Sequence, residues 1–161
     1  MNDPKRVVVA VDGSDNAWRA VEYVAAMLGG VPGVQVCVLL VERLPSRDLF
    51  ASQVAWEATC QVHRERARAF VDRCRQRLEA ANLAVETVVI NSCAAVENEA
   101  GAVCSLGTSI ARDIIAFQEQ GQYGTVVVGR RGVSRAEEFL FGSVTTKVTH
   151  LARNCAVWVV Q

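Results

Sequence analysis

The sequence lacks a long hydrophobic run and has no excess of charge of either sign. Its longest apolar runs, for example residues 36–41 and 155–160, contain six residues, whereas a transmembrane helix needs about 18 or more. Lysine plus arginine and aspartate plus glutamate number 17 each, so the formal net charge is zero. Balanced charge argues against a nucleic-acid binder that depends on many phosphate contacts. We therefore expect neither a membrane nor a nucleic-acid partner.

Other signatures are missing as well. The first apolar stretch, residues 7–11, holds five residues and is too short for the core of a signal peptide, which favours a cytoplasmic location. The six cysteines include no CxxC pair, so we expect reduced thiols, with Cys37, Cys74 and Cys155 acting as small hydrophobic residues. Cys93 and Cys104 fall in a predicted loop and are too few for a tetrahedral zinc site.

What the chain does have is an alternation of short β-branched runs with amphipathic stretches, within 161 residues of which 51% are hydrophobic. This pattern predicts one domain, residues 1–161, with a parallel sheet. The predicted strands are residues 6–11, 34–41, 84–90, 125–129 and 155–160. The predicted helices are residues 14–28, 54–81, 109–120 and 144–153.

Right-handed crossovers wind these elements into an α/β fold: one open, mainly parallel, five-stranded sheet in the order 3-2-1-4-5, with helices on both faces. Ligands of such Rossmann-like sheets bind beyond the carboxyl ends of the strands, where the winding direction reverses. Here that point lies between the first and fourth strands. The site is therefore expected beside Asp12-Gly13-Ser14 and Gly129-Arg130-Arg131-Gly132.

A spaced glycine motif follows the fourth strand: Gly129-x2-Gly132-x9-Gly142-Ser143. Glycine allows a ligand to approach the backbone, and the first turn of a helix offers unpaired N–H groups to phosphate oxygens. No two glycines are two positions apart, which excludes the GxGxxG fingerprint, and residues 124–131 mimic a Walker A loop but have arginine where lysine is required. Taken singly, the glycines could form a tight turn and an ordinary helix start with a serine cap.

The opening Val7-Val8-Val9-Ala10-Val11-Asp12-Gly13-Ser14 and the spaced glycine motif resemble the universal stress protein family, in its ATP-binding branch, whose fold is similar to that of adenine-nucleotide alpha-hydrolases. The resemblance implies a cofactor, ATP or else ADP or AMP, with Mg²⁺ or Mn²⁺ as a candidate ion. Asp12 would meet the ribose or a metal, and the Val41 backbone would meet adenine. The implied binding residues are Ala10, Val11, Asp12, Val41, Val128, Gly129, Arg131, Gly132, Gly142, Ser143 and Val144, with added donors from Arg130.

The same resemblance implies a cytoplasmic, nucleotide-dependent regulator of the stress response, acting on an unidentified protein partner. It also implies a homodimer joined through the C-terminal strand, residues 155–160, in which Trp158 would be a buried anchor. Two alternatives stay open. One is a slow ATPase or nucleotide-processing enzyme, for which Asp12 is the sole candidate catalytic group, and the other is a dimeric interaction module with a vestigial pocket.

Two segments depart from the family pattern. Residues 91–106 form an unusual loop insertion, and residues 42–52 form a long connection; both leave the ligand-facing rim and could cover the site. The arginines of the second helix alternate with acidic residues, for example Arg68 with Asp72 and Arg75 with Glu79, which predicts a solvated, salt-bridged face. His63 and His150 have no spacing typical of a triad or metal site.

Overall fold

Strands and helices alternate along the chain in a computed structural model that describes residues 2–91, 103–105, 109–131 and 141–161. The strands are β1 (Asp3–Val11), β2 (Gln35–Val41), β3 (Ala84–Asn91), β4 (Val103–Cys104), β5 (Tyr123–Gly129) and β6 (Ala156–Val160). The helices are α1 (Asp15–Leu28), α2 (Gln53–Glu79), α3 (Ile110–Gln120) and α4 (Ser143–Leu151), and a single 3₁₀ turn spans Arg47–Leu49.

The sheet has the order β4-β3-β2-β1-β5-β6, and its paired strands are parallel. The predicted order of the five main strands is thus confirmed. The sixth strand, β4, was not predicted: it pairs Val103 with Ile90 and Cys104 with Asn91. The expectation of a loop over residues 91–106 is therefore wrong at Asn91, which ends β3, and at residues 103–104. The reason is that the outer edge of β3 offers unpaired backbone groups to any segment that returns beside it.

Side chains of the central strands alternate between two hydrophobic cores. Val7, Val9 and Val11 of β1 pack with α1 and α2 on one face, whereas Val8 packs with α3 and α4 on the other. The strands are apolar on both faces because helices cover both, as is typical of a parallel sheet.

Serine side chains fix the starts of three helices. The Ser14, Ser52 and Ser109 hydroxyls accept the N–H groups of Ala17, Ala55 and Arg112 at 3.1, 3.2 and 3.3 Å, and so begin α1, α2 and α3. These local signals explain why the predicted helix starts lie close to the observed ones. The start of α4 has no such cap, a difference that matters for the site.

The charged face of α2 is salt-bridged, as predicted, although with one different partner. Arg75 pairs with Glu79 at 3.3 Å and with Asp72 at 3.6 Å, so Asp72 pairs with Arg75 rather than Arg68. Arg77 also reaches Glu22 of α1 at 3.0 Å. Exposed pairs of this kind contribute little to stability. They fit the predicted solvated, salt-bridged face.

The cysteines that the structure describes are free thiols. Cys37, Cys60 and Cys74 are buried, and Cys155 is half-buried just before β6 rather than inside it as predicted. Burial raises the pKa of the Cys37 and Cys74 thiols to about 12, so these thiols stay protonated at neutral pH, which fits the role of small hydrophobic residues. Cys93 and the side chain of Cys104 lie outside the described part of the chain.

No helix within the described part of the chain is long and apolar enough to cross a membrane.

Candidate functional site

The strands end level with one another at the predicted site, where the winding direction of the sheet reverses. Ala10 of β1 lies beside Leu39 of β2 and Val128 of β5. The β1–β2 pairing ends one residue later, with Val11 beside Leu40, and the β5–β6 pairing ends with Gly129 beside Val160. Asp12, Val41 and Gly129 therefore emerge at the same edge of the sheet, and the two loops chosen from the sequence meet there.

The turn from β1 into α1 is built by three consecutive residues. One Asp12 carboxylate oxygen, Oδ1, accepts the Ser14 N–H at 3.0 Å, which closes a tight Asx turn. Gly13 has φ +83°, a conformation that glycine adopts without strain. The turn places the exposed Asp12 at the rim while Ser14 caps the helix that follows.

Gly129, at the end of β5, allows α1 and the sheet to approach closely. A Cβ atom on Gly129 would lie 2.8 Å from the backbone carbon and oxygen of Asn16, closer than such atoms can pack. The Gly129 carbonyl accepts the Thr145 hydroxyl at 2.8 Å, and the Arg130 N–H donates to the Val160 carbonyl at 2.6 Å. Gly129 is thus a packing residue that joins α1, α4 and β6 at one point.

The N-terminus of α4 faces the same edge. Gly142 is its N-cap residue, with φ −64° and ψ 157°, and as a glycine it has no side chain with which to cap the helix. The Gly142 N–H donates to the Arg130 carbonyl at 2.9 Å, which holds the first turn of α4 against the end of β5. The idea of an ordinary start with a serine cap is wrong here, because Ser143 is the first helical residue rather than the cap. A helix start of this kind offers amide donors and a partial positive charge to an anion.

The structure brings most of the predicted binding residues together. Strand register places Ala10, Val11, Asp12, Val41, Val128 and Gly129 at one edge. The hydrogen bond from the Gly142 N–H to the Arg130 carbonyl places the start of α4, with Ser143 and Val144, at the end of β5, and Arg131 follows Arg130 in the chain. Val11 and Val128 are buried, with 5% and 3% of their surface exposed, so little of either residue is open to a ligand. Gly132 lies outside the described residues.

A polar cleft beside the glycine motif was not predicted. It has a volume of about 330 Å³ and is lined by Asn16, Arg19, Arg130, Arg131 and Gln161. Arg130 and Arg131 belong to the motif, but Asn16 and Arg19 come from α1 and Gln161 follows β6. The three-residue spacing of Asn16 and Arg19 on one helix face is the only sequence signal for this cleft, and it does not reveal what that face packs beside.

The connection at residues 42–52, predicted as a cover for the site, is fastened to α2. Arg64 of α2 pairs with Glu42 at 2.9 Å, and the Trp56 indole N–H donates to the Pro45 carbonyl at 2.8 Å. On the insertion side, the Ser105 hydroxyl donates to the buried Asp113 carboxylate of α3 at 2.6 Å. Residues 92–102 lie outside the described part of the chain, so a covering role for the insertion stays a prediction.

The model of the Universal stress protein family matches residues 4–161. Universal stress protein UspA from Lactobacillus plantarum is 17% identical, with a TM-score of 0.70 over 100% of both chains. A universal stress protein from Archaeoglobus fulgidus, in complex with dAMP, is 20% identical, with a TM-score of 0.62 over 100% of both chains. An Arabidopsis thaliana family protein with AMP bound is 15% identical, with a TM-score of 0.63 over 98% of this chain and 91% of that one. No curated protein sequence matches this chain.

Proposed function

Because the chain belongs to the universal stress protein family, we propose that it binds an adenine nucleotide at the carboxyl edge of its sheet, with ATP as the preferred ligand and ADP or AMP as weaker ones. The observation that carries the proposal is the start of α4. Its N-cap residue is a glycine without a side-chain cap, and a backbone hydrogen bond holds it against the end of β5. That arrangement suits a phosphate group.

The bound ligands of similar structures support the adenine base. The structures from A. fulgidus and A. thaliana contain dAMP and AMP. In this chain the Val41 backbone would meet the adenine edge, and Asp12 would accept a hydrogen bond from the ribose. The phosphates would lie against Gly129, Arg131, Gly132, Gly142, Ser143 and Val144.

A divalent ion fits this site only if the nucleotide phosphates supply most of its ligands. Among the described residues, no group of three His, Cys, Asp or Glu side chains could hold a metal ion. Mg²⁺ commonly binds through one or two carboxylates together with substrate phosphates, and Asp12 is the carboxylate at the strand ends. We therefore propose that Mg²⁺ or Mn²⁺ enters with the nucleotide, held by its phosphate oxygens and Asp12.

We propose further that nucleotide occupancy, rather than hydrolysis, is the signal, and that the protein is a cytoplasmic regulator of the stress response with a protein partner. Asp12 is a poor candidate for a catalytic base, because its Oδ1 already accepts the Ser14 N–H at 3.0 Å. A turnover assay with ATP and Mg²⁺ distinguishes this proposal from the enzyme alternative: sustained phosphate release over many turnovers, even at a slow rate, would favour a slow ATPase.

Isothermal titration with ATP, ADP and AMP tests the binding proposal. We expect a dissociation constant for ATP well below 1 mM. A dissociation constant of 1 mM corresponds to about 4 kcal/mol of binding free energy. Titration with GTP is the matched control for the base, and it should show weaker binding. Absence of ATP binding up to millimolar concentrations, with and without Mg²⁺, would reject the proposal.

We also propose a homodimer joined by β6, which ends the sheet and has no strand on its outer edge in the described structure. Trp158, predicted as the interface anchor, packs edge-to-face against Tyr23 of α1, with the two ring centroids 5.9 Å apart. This contact holds β6 against α1 within one chain. The Val160 carbonyl faces β5, so the Val159 N–H faces outward, because successive residues of a strand point their backbone groups to opposite sides.

Val159→Pro removes that outward N–H while leaving the pairing with β5 intact. In sedimentation velocity experiments we expect the unaltered protein to be a dimer and the Val159→Pro variant to be a monomer, with unchanged far-ultraviolet circular dichroism. A variant that remains fully dimeric would show that the interface lies elsewhere.

A further inference from the structure

The side of α1 that faces β6 exposes two large apolar side chains. Tyr23 and Met27 are 42% and 54% exposed, and residues four positions apart lie on the same side of a helix. Tyr23 contacts Trp158 of β6, so this side of α1 faces the edge strand. No charged residue occurs from Tyr23 to Val34. We call Tyr23 and Met27 the α1 patch; neighbouring exposed apolar residues of this kind are typical of an interface.

The opposite side of α1 is covered within the chain. Trp18 packs edge-to-face against Phe70 of α2, with ring centroids 6.4 Å apart, and Glu22 pairs with Arg77 of α2 at 3.0 Å. On the side of the α1 patch, the neighbouring element among the described residues is the single strand β6. The α1 patch is therefore the side of α1 that a second molecule could cover.

The strand β6 leaves apolar surface uncovered in the same place. It is the end strand of the sheet, and residues 157–160, all apolar, are only half-buried, whereas residues 126–128 of the neighbouring β5 are buried. The contact between Trp158 and Tyr23 joins β6 to the α1 patch. The edge and the patch thus form one continuous apolar surface.

Pairing of two β6 edges alone is too small to hold two copies together. The strand has five residues, which makes it about 17 Å long, and sheets pack about 10 Å apart. The two edges together would therefore cover on the order of 300–400 Å² by these dimensions, whereas stable interfaces bury about 1,200–2,000 Å². A stable dimer needs further surface beside β6, and the α1 patch offers it.

Two-fold symmetry would place the α1 patches of two copies side by side. A two-fold axis perpendicular to the sheet pairs the β6 strands antiparallel and keeps both α1 helices on the same face. The backbone groups of Val157 and Val159 point outward, because those of Val160 face β5. Within β6, both outward residues find hydrogen-bond partners when Trp158 lies opposite its counterpart in the second copy. Tyr23, which contacts Trp158, then lies close to the axis.

The spacing between the two helices suits large side chains. α1 packs most extensively on β5, so three strand spacings, about 14 Å, would separate the axes of the two α1 helices. Closely packed helices lie 8–10 Å apart. Small side chains would leave a gap of about 5 Å by these spacings, whereas the side chains of Tyr23, Met27 and Trp158 are long enough to fill it.

We infer that the α1 patch is a second part of the homodimer interface and that its occupant is the α1 patch of a second copy. The two patches pack across the two-fold axis, above an antiparallel pair of β6 strands. This inference rests on the β6 homodimer proposed above, and it assigns to α1 the apolar contact area that the strand edges lack.

The test compares Met27→Lys with Val62→Lys, which introduces the same charge at an exposed apolar position of α2, outside the α1 patch. Sedimentation velocity over a range of concentrations measures the dimer dissociation constant, and circular dichroism verifies that both variants are folded. We expect Met27→Lys to raise this constant about 25-fold. The symmetric dimer carries the substitution twice, and each copy contributes a factor of about five, as is typical of a central interface residue. Val62→Lys should change the constant less than about twofold.

The outcomes separate this inference from the dimer on which it rests. If Val159→Pro yields monomers but Met27→Lys leaves the dissociation constant unchanged, the α1 patch lies outside the interface and the inference is overturned, while the β6 dimer stands. If the unaltered protein is a monomer at every concentration, both fail. If Met27→Lys and Val62→Lys weaken the dimer equally, the effect of the charge is not specific to the α1 patch, and the inference is likewise overturned.

Discussion

Replacing Gly142 with aspartate is expected to weaken nucleotide binding strongly while making the protein slightly more stable. Gly142 has the φ and ψ of an ordinary N-cap residue, so an aspartate there can accept the free N–H groups of the first turn. Capping and the helix dipole together should raise the free energy of unfolding by about 0.5–1 kcal/mol. The same carboxylate would occupy the donors meant for phosphate and repel its charge, and we expect affinity for ATP to fall about 100-fold, or about 2.7 kcal/mol.

Gly142→Asn is the matched control, because it has the same shape and capping ability without the charge. We expect it to weaken ATP binding by about tenfold, between the unaltered protein and Gly142→Asp. Titration calorimetry and thermal denaturation measure the two effects on the same samples. If Gly142→Asp bound ATP as tightly as the unaltered protein, the amides of α4 would lie outside the binding site.

Replacing Gly129 with alanine should destabilise the fold, although the change adds only one methyl group. The new Cβ would lie 2.8 Å from the Asn16 backbone carbon and oxygen, and backbone atoms cannot rotate away as a side chain can. Either α1 or the end of β5 must shift, and overpacking of this kind costs about 1–3 kcal/mol. Urea denaturation followed by circular dichroism should show this loss in the free energy of unfolding.

Gly142→Ala serves as the comparison within the same motif. Its φ of −64° suits alanine, so the expected cost is below about 1 kcal/mol and reflects only the poorer N-cap. Equal destabilisation by the two substitutions would contradict the division of roles, in which Gly129 is needed for packing and Gly142 for the ligand.

The course of the main chain was predictable from the sequence because its signals are local. Serine caps and apolar periodicity fixed the starts of α1, α2 and α3 close to where the structure has them. The apolar runs fixed the carboxyl ends of the five main strands to within one residue, and those ends carry the site. Asp12 and Gly129 could be placed together because the handedness of crossovers leaves few ways to order such a sheet.

The parts that could not be predicted depend on contacts between distant segments. The strand β4 exists only because residues 103–104 return beside the outer edge of β3, and no local pattern marks a two-residue strand. The partner of Asp72 is Arg75 rather than Arg68, because side-chain orientation chooses between two neighbours at similar helical spacing. Trp158 packs against Tyr23 of its own chain, a contact between β6 and α1.

The sequence by itself determined the alternation of strands and helices, the order of the main strands and the loops that carry the glycine motif, since each depends on periodicity, capping and chain handedness. Only the tertiary structure decided that Gly129 is a packing residue against Asn16, that α4 begins without a side-chain cap, and that Arg19 shares a cleft with Arg130 and Arg131. The physical reason is that these features are distances between elements far apart in the chain. Such distances are fixed by how helices pack on the sheet, which a one-dimensional pattern does not contain.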